Sequence, residues 1–338
     1  MHRRSRQSLR PPLRPAGSAL TTCTVGRVTR GGITVKSVST ATDIEEHRAH
    51  LVSVGYRMTG SLADAEDAVQ DAWLRLNRLS EAERAEIRDP RGWLTTVVGR
   101  LCLDRLRSAS ARRESYLGPW LPEPLVSTDD ADDPLAVLVR DEEVRMAAMV
   151  VLDQLTPPQR VAFVLHDALA MPFGDIAAVL GCSVTTARKH ASRARRAVAE
   201  AQPPPRAAAA EQMRLLKGVA EALGRGDTQA LVALLHPDAV MVNDSGGMTP
   251  AARRVVQGAD KVARLLVGLT NRYGADLVAG WAPVLVNGEQ GYRSGGRGGA
   301  PESVSVFSVR DGKIAAIYSV LNPAKLIAAL ARTGRPTA

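Results

Sequence analysis

Apolar positions recur with a helical period over the first two thirds of the chain and give way to alternating, turn-punctuated segments beyond residue 240. The clearest stretch runs from Met171 to Val198. Pro172 can open a short helix, since a proline at the first helical position lacks only a donor that has no intrahelical partner. Ile176, Ala177, Val179 and Leu180 give that helix one apolar side, and Gly181 is suited to the left-handed conformation that ends it. Ser183 then caps a second helix. In it Val184, Ala187, Ala191, Ala194 and Val198 form a buried stripe of small side chains. Its other faces carry Thr185, Thr186, Arg188, Lys189, His190, Ser192, Arg193, Arg195 and Arg196 without one acid. Two short helices, a tight glycine turn and a basic second helix predict a DNA-binding helix-turn-helix.

The same period organises the residues before it. Ile44, His47, Leu51, Val54 and Met58 share the face of a helix that Gly60 ends, with His47 read as packed in the core. Ser61 and Asp64 have the spacing of a capping box. They open a helix with Ala65, Ala68, Val69, Ala72 and Leu76 inward and Asp64, Asp67 and Asp71 along an acidic edge. Residues 77–88 are polar, a loop or short helix. Asp89-Pro90 starts a third helix, with Leu94, Val97, Val98 and Leu101 inward. The stretch W-L-P-E-P at 120–124, followed by an acidic run, reads as an extended linker. Trp120 is expected to dock, because a wet aromatic of that size forgoes about 2–3 kcal/mol. Helices over 134–155 and from Pro157 lead into the helix-turn-helix. His166 and Asp167 have no nucleophile beside them and are read as structural.

Pro203-Pro204-Pro205 marks a boundary. Beyond it, helices are expected over 211–223, from the turn at 224–227 to near His236-Pro237, and over 259–269. Strands are expected at 239–242, 277–286, 290–293, 302–309 and 314–321, before a last helix from Pro323. Asn287-Gly288 and Asp311-Gly312 are hairpin turns. Helices followed by antiparallel strands make an α+β domain.

Charge sharpens this division. The 338 residues carry a net charge of +9, unevenly spread. Residues 1–40 hold eight basic residues and no acid, residues 41–205 hold 20 basic and 25 acidic, and residues 206–338 hold 16 and 10. DNA contact must therefore come from local clusters. One is the helix-turn-helix. The other is Arg100, Arg105, Arg107, Arg112 and Arg113 against Asp104. Cys23, Cys102 and Cys182 form no C-x-x-C pair, so no zinc site, disulfide framework or cofactor is expected. No apolar run approaches the roughly 20 residues of a membrane helix, and a cytoplasmic location is expected.

These blocks resemble the extracytoplasmic function (ECF) sigma factors of the sigma-70 family. They are most similar to the SigJ-type group with a C-terminal SnoaL-like domain. Residues 56–75, Y-R-M-T-G-S-L-A-D-A-E-D-A-V-Q-D-A-W-L-R, look like the region 2 signature, and Trp120–Pro124 looks like the linker motif of the group. Asn322-Pro323-Ala324-Lys325-Leu326 is similar to its C-terminal N-P-D-K-L, and Asp244-Ser245-Gly246-Gly247-Met248 stands where it carries D-G-G-G-K. The lysine of the latter motif and the aspartate of the former are absent here.

The resemblance implies a multidomain fold. Two all-α sigma domains, a region 2 helical bundle and a region 4 helix-turn-helix, precede an α+β SnoaL-like domain of the cone-shaped, NTF2-like kind. Boundaries are expected as a leader or mis-assigned start (1–40), region 2 (41–114), linker (115–133), region 4 (134–200), a proline-rich linker (201–208) and the SnoaL-like domain (209–333).

The implied function is promoter-specific transcription initiation, without catalysis. Partners would be the RNA polymerase core, through its β′ clamp and β flap, and promoter DNA. Asp64, Asp67, Gln70, Asp71 and Trp73 would bind polymerase. Arg100, Arg105, Arg107 and Arg112 would hold the separated strand of the minus-ten element, and the linker would hold region 4 at a distance from them. Thr185, Thr186, Arg188, Lys189, Arg193 and Arg196 would read the minus-thirty-five element. The SnoaL-like domain would regulate in cis through Trp120, Pro122, Glu123, Asp244, Gly246, Gly247, Asn322, Pro323 and Lys325. His236, Asp238, Asp244, Tyr273, Trp281 and Tyr292 are candidates to line its cavity. A small ligand or a separate anti-sigma partner remains open, as does the alternative of a helix-turn-helix regulator fused to a small-molecule-binding or catalytic domain.

Overall fold

The computed structural model describes residues 42–113, 116–127, 144–274 and 276–331. The leader, the acidic part of the linker and the start of the helix expected at 134–155 lie outside the described residues.

The helical part comprises α1 (Thr42–Thr59), α2 (Leu62–Arg78), α3 (Glu81–Ala85), α4 (Pro90–Arg113), α5 (Met146–Asp153), α6 (Pro157–Phe163), α7 (Phe173–Leu180) and α8 (Val184–Ala201). Ser61 caps α2, its hydroxyl accepting from Asp64 N at 3.3 Å. Ser80 and Glu83 close a capping box that makes α3 a helical turn within the polar 77–88 stretch. Gly181 ends α7 at φ 65°, and Ser183 caps α8. Ala187, Ala191 and Ala194 are fully buried, so α8 packs closely on its neighbours. Val184, expected in that stripe, is 41% exposed because it occupies the first turn, beyond the packed face.

One core runs through these helices except α3, none of whose residues is buried. Leu51, Val98, Leu165, Ile176 and Ala187 belong to the same cluster. At Gly99 of α4, an added Cβ would touch Leu165 and Val179, so the helix-turn-helix lies directly on α4. The expectation that the linker keeps these parts apart is overturned. The apolar faces of α4 and α7 bury each other.

The sheet part comprises β1 (Val126–Ser127), β2 (Leu235–Asp244), β3 (Val256–Gln257), β4 (Trp281–Val286), β5 (Glu289–Ser294), β6 (Ser303–Arg310) and β7 (Lys313–Val320), in the order β1-β4-β5-β6-β7-β2-β3. Among the described residues only β2 and β7 pair in parallel. Helices α9 (Ala209–Gly224), α10 (Thr228–Leu234), α11 (Ala259–Tyr273), α12 (Asp276–Ala279) and α13 (Pro323–Ala331) accompany it. Asn287-Gly288 and Asp311-Gly312 all have positive φ, as two-residue hairpin turns require. The strand expected at 277–286 begins only at Trp281, preceded by the turn of α12. β2 starts at Leu235 and takes up His236-Pro237, with an irregular register before Val240.

The two-residue period divides the sheet into two working faces. Met241, Tyr292, Phe307 and Ile317 pack toward α9–α11. Val242, Val304, Val306, Tyr318 and Val320 pack with Leu121, Val126, Met146 and Ala147 of the linker and α5. The linker is therefore structural. Residues 121–127 are buried, and β1 is an edge strand of the sheet, paired antiparallel with β4.

Candidate functional site

Asp244, at the end of β2, is fully buried and gathers the chain around itself. Its Oδ2 accepts from Leu121 N at 2.8 Å and from Lys325 Nζ at 2.6 Å. Its Oδ1 accepts from the Tyr116 hydroxyl and from Gly246 N at 3.2 Å. Asn322 Nδ2 donates to Tyr116 Oη at 2.8 Å. Lys325 Nζ lies 4.0 Å from the centroid of the Trp120 ring and also donates to Leu121 O. A carboxylate so enclosed needs a cation and several donors to offset its lost hydration. Lys325 supplies the charge, and Met248, where the resemblance expects a lysine, is 61% exposed. Gly246 (φ 59°) and Gly247 (φ 75°) allow close approach: a Cβ would fall 2.7 Å from Asn322 Nδ2 and 2.8 Å from Leu117, respectively. Pro122 is buried, and Pro323 begins α13 at the surface.

The other end of the linker is fastened to α1 and α2. Glu123 Oε2 accepts from Leu62 N at 2.9 Å and Ser61 Oγ at 3.3 Å. It puts a negative charge at the N-terminus of α2, where the helix dipole favours one. Glu123 N donates to Gly60 O at 2.8 Å, and Tyr56 Oη donates to Glu123 O at 2.8 Å. Gly60 (φ 72°) leaves room for the Trp120 ring, which a Cβ would meet at 2.8 Å.

Sequence reasoning missed Asn287. It was visible only as a hairpin residue, yet its side chain is fully buried. Nδ2 donates to Tyr56 Oη at 2.8 Å and to Val144 O at 2.6 Å, while Oδ1 accepts from Leu125 N at 3.0 Å. One amide thus ties the hairpin to α1, to the linker and to the chain entering α5. Tyr116 was equally unmarked, and Tyr56 stood only as the first residue of the region 2 signature. Nothing in local sequence relates Asn287 to a tyrosine 231 positions away.

The acidic edge of α2 leaves Asp67 and Gln70 exposed, with Asp64, Asp71 and Trp73 half-buried. Asp71 Oδ2 accepts from Arg105 Nη2 at 3.0 Å. Arg100 Nη2 donates to Ala178 O of α7 at 2.7 Å. Arg107 lies 3.8 Å from Asp104 on an exposed face. The side chain of Arg112 lies outside the described residues. On α8, Thr185, Arg188, Lys189, Arg193 and Arg196 are exposed, and the half-buried Thr186 shares a hydrogen bond with Ser183. Arg188 stands 5.5 Å over the Phe173 ring, and Arg196 pairs with Glu200 at 2.8 Å. Desolvation and then Arg193 lower the pKa of His190, so the charge of this face comes from arginine and lysine. Asp167 accepts from Arg195 at 2.5 Å and His166 contacts Met171 O at 3.0 Å, both within the fold.

The cavity of the sheet part is lined by Tyr273, Trp281 and Tyr292 among the expected residues. His236 and Asp238 stay near the surface, where Asp238 N donates to His236 Nδ1 at 3.2 Å. Asp244 faces the linker instead, on the side of β2 opposite Asn243.

An acidic helix, two basic helices and a linker strand built into a C-terminal α+β sheet define a fused sigma factor. Sigma-70 region 2 matches residues 44–112, Sigma-70 region 4 matches residues 145–198, and a SnoaL-like domain matches residues 216–317. The chain belongs to the ECF RNA polymerase sigma factor family. It is 50% identical over 295 residues to the ECF RNA polymerase sigma factor SigJ of Mycobacterium tuberculosis (strain ATCC 25618 / H37Rv), covering 84% of this chain and 92% of that relative. It is 33% identical over 290 residues to the probable ECF RNA polymerase sigma factor SigI of Mycobacterium tuberculosis (strain CDC 1551 / Oshkosh), covering 83% and 92%. The crystal structure of Mycobacterium tuberculosis SigJ superimposes with a TM-score of 0.73 at 44% identity, covering 88% of this chain and all of that one.

Proposed function

We propose that the chain directs promoter-specific transcription initiation and that its SnoaL-like domain regulates it in cis by holding regions 2 and 4 against each other. The linker strand β1 within the SnoaL-like sheet carries this reading. Distance supports it. Elements named minus ten and minus thirty-five lie about 25 base pairs apart, roughly 85 Å at 3.4 Å per pair. Two small helical regions sharing one core, about 150 residues with a radius of gyration near 15 Å, span only about 40 Å. The packed form cannot engage both elements, so the two regions must separate on the polymerase.

In the separated form, Asp64, Asp67, Gln70, Asp71 and Trp73 bind the β′ clamp, and region 4 meets the β flap. Arg100, Arg105, Arg107 and Arg112 then hold the minus-ten strand. Thr185, Thr186, Arg188, Lys189, Arg193 and Arg196 read the minus-thirty-five major groove. A good bidentate arginine contact there is worth about 1–3 kcal/mol. Trp120, Pro122, Glu123, Asp244, Gly246, Gly247, Asn322, Pro323 and Lys325 form the regulatory interface. Domain boundaries follow as region 2 (41–114), linker (115–133), region 4 (134–200), proline linker (201–208) and SnoaL-like domain (209–333). The protein acts in the cytoplasm, beside the polymerase, and catalyses no reaction of its own.

Core-polymerase pull-down with transcription from the native promoter tests this. Full chain, chain ending after Val198 and chain ending before Asn322 are compared. Both truncations are expected to change core affinity or transcript yield. Identical behaviour of all three removes the SnoaL-like domain as regulator, and failure of the full chain to bind core polymerase removes the sigma-factor reading.

A further inference from the structure

We infer that Phe173 is a positioning residue for promoter reading: its ring holds the Arg188 guanidinium ready for one base of the minus-thirty-five element. This role rests on α8 being the helix that enters that major groove, and it adds which neighbour sets the accuracy of the contact. The two residues come from the two helices of the helix-turn-helix, Phe173 as the first residue of α7 and Arg188 from the second turn of α8. Arg188 Cζ stands 5.5 Å from the centroid of the Phe173 ring, within the roughly 6 Å over which a ring face attracts a cation. Arg188 is nevertheless exposed and, unlike Arg195 and Arg196, makes no ion pair among the described residues. A free arginine loses its rotamer freedom when a base fixes it. One already resting on a ring has lost part of that freedom beforehand. A guanidinium can also give its face to a ring and keep its N–H edge for the two acceptors of a guanine. Among the described residues no ring lies under Lys189, Arg193 or Arg196.

A ring that is itself loose would position nothing, and this one is fixed. Phe173 is half-buried, and its ring centroid lies 4.0 Å from that of His166, with 31° between the planes. His166 Nδ1 is 3.0 Å from Met171 O. A carbonyl oxygen only accepts, so Nδ1 carries the proton and donates. Ala170, at φ 53°, turns the chain back on itself. Its N donates to His166 O at 2.9 Å, and Met171 N donates to Leu165 O at 2.9 Å. A non-glycine residue at positive φ persists where its surroundings over-determine it, and these two bonds close the turn. Leu165, at the root of the turn, belongs to the shared helical core. Support therefore runs from the core through the turn and His166 to Phe173, and from Phe173 to Arg188.

The test uses holoenzyme, assembled from the full chain and core polymerase. It is run on the native promoter and on promoters with single base pairs changed across the minus-thirty-five element. Discrimination is the ratio of affinities for the native and the changed promoter. Arg188→Ala is expected to lose about fivefold or more at one position, which identifies the base that Arg188 reads. Phe173→Leu should lose about two- to fivefold at that same position, the size of an exposed cation–π contact, and keep the ratio at the others. Phe173→Tyr, which retains a ring, should restore the native ratio. In the Arg188→Ala background, Phe173→Leu should change nothing further, an outcome that a general loosening of α7 would not give. Urea midpoints accompany each variant, and Phe173→Met, apolar and ringless, replaces the leucine variant if that one fails to fold. A native ratio in the ringless variant, an equal loss at every position, or the same loss with and without Arg188 overturns the role of Phe173 and leaves Arg188 as a reader. No loss with Arg188→Ala overturns the reading by Arg188 itself, and the role of Phe173 with it.

Discussion

The two basic helices, α4 and α8, are alike in sequence and unlike in circumstance. On α8, Arg188, Lys189, Arg193 and Arg196 stand in solvent, their nearest protein contacts an aromatic ring and a same-helix glutamate. On α4, Arg100 is bonded to the backbone of α7 and Arg105 to the acidic edge of α2. One proposed DNA surface stands clear of neighbouring helices, while on the other Arg100 and Arg105 are tied to α7 and α2 although Arg100 and Arg107 remain exposed. Asp71, proposed for polymerase, and Arg105, proposed for DNA, also neutralise each other. A basic cluster in a sequence is thus a charge inventory. Its availability depends on what the tertiary structure sets against it.

The strongest way to break this asymmetry is Asp244→Ala. It removes one carboxylate partner of Lys325, whose side chain is only 14% exposed, and the acceptor of Leu121 N and Tyr116. Breaking one side of a buried pair costs about 3–5 kcal/mol, expected as a lower urea midpoint for release of the linker. Asp244→Ala with Lys325→Met should regain about 1 kcal/mol or more, because the part-buried cation that lost this carboxylate is gone. If the released linker lets α7 leave α4, Arg100 and its neighbours join α8 on DNA. Non-specific DNA binding by Asp244→Ala should then fall more steeply with salt, by about 0.9 in log–log slope per added phosphate contact. An unchanged slope would mean that α4 stays covered.

Next in size is Asn287→Gly, which keeps the positive-φ turn and deletes the amide. It leaves Leu125 N, Val144 O and Tyr56 without that partner in a buried site, at a cost of about 2–3 kcal/mol. Equilibrium urea unfolding measures it. A loss below about 0.5 kcal/mol would show that the hairpin tip is not a fastening point.

Much of this architecture was legible in sequence, because helical periodicity and turn chemistry are local. Ser61, Ser183 and Gly181 do what their positions require, and the alanine stripe of α8 is buried as its spacing implies. The resemblance gathered Trp120, Glu123, Asp244, Asn322 and Lys325 as one group; Trp120, Asp244, Asn322 and Lys325 lie around one node, while Glu123 fastens to α1 and α2. What stayed hidden is non-local. Residues 121–127 were read as an extended linker because prolines and an acidic run flank a short apolar pair. Only a partner strand, β4, turns Val126–Ser127 into sheet. The Arg105–Asp71 pair likewise needs α2 and α4 side by side. The closed packing of regions 2 and 4 has no sequence marker at all, since an apolar face reads the same whichever helix covers it.

Acidity should test the cleft at the other end of the α4–α7 contact. His50 lies within 3.2 Å of Arg91 Nη2, in a cleft lined by the first turns of α4 and by residues 168–172 and Asp175. Desolvation, then Arg91, Arg57 and His47, lowers its pKa to about 4. Native His50 is therefore neutral where an unfolded histidine, near 6.5, already takes a proton. Its contribution to stability is complete above pH 6.5 and is lost as pH falls toward 4. His50→Gln, which cannot titrate, should flatten the slope of the urea midpoint against pH between 6.5 and 4, and leave the midpoint at pH 8 little changed. An unaltered slope would assign the acid sensitivity elsewhere.

The smallest effect is the most direct measure of how unequal the two helices are. Arg105 and Asp71 have side chains 23% and 49% exposed, so their pair is partly screened, and its coupling should be about 0.5 kcal/mol in the free protein. A double-mutant cycle of Arg105→Ala and Asp71→Ala reads that coupling from unfolding midpoints. Arg188→Ala should shift stability by less than about 0.5 kcal/mol, as an exposed residue with no ion pair among the described residues does. On polymerase the ranking should invert for promoter choice. Arg188→Ala should lose discrimination at the minus-thirty-five element while keeping core binding, since a lost base contact is worth about 1–3 kcal/mol. Asp71→Ala should weaken core binding and, by releasing Arg105, loosen the closed form. A coupling of zero for Arg105 and Asp71, with core affinity unchanged by Asp71→Ala, would make their contact incidental and leave α4 as free to act as α8.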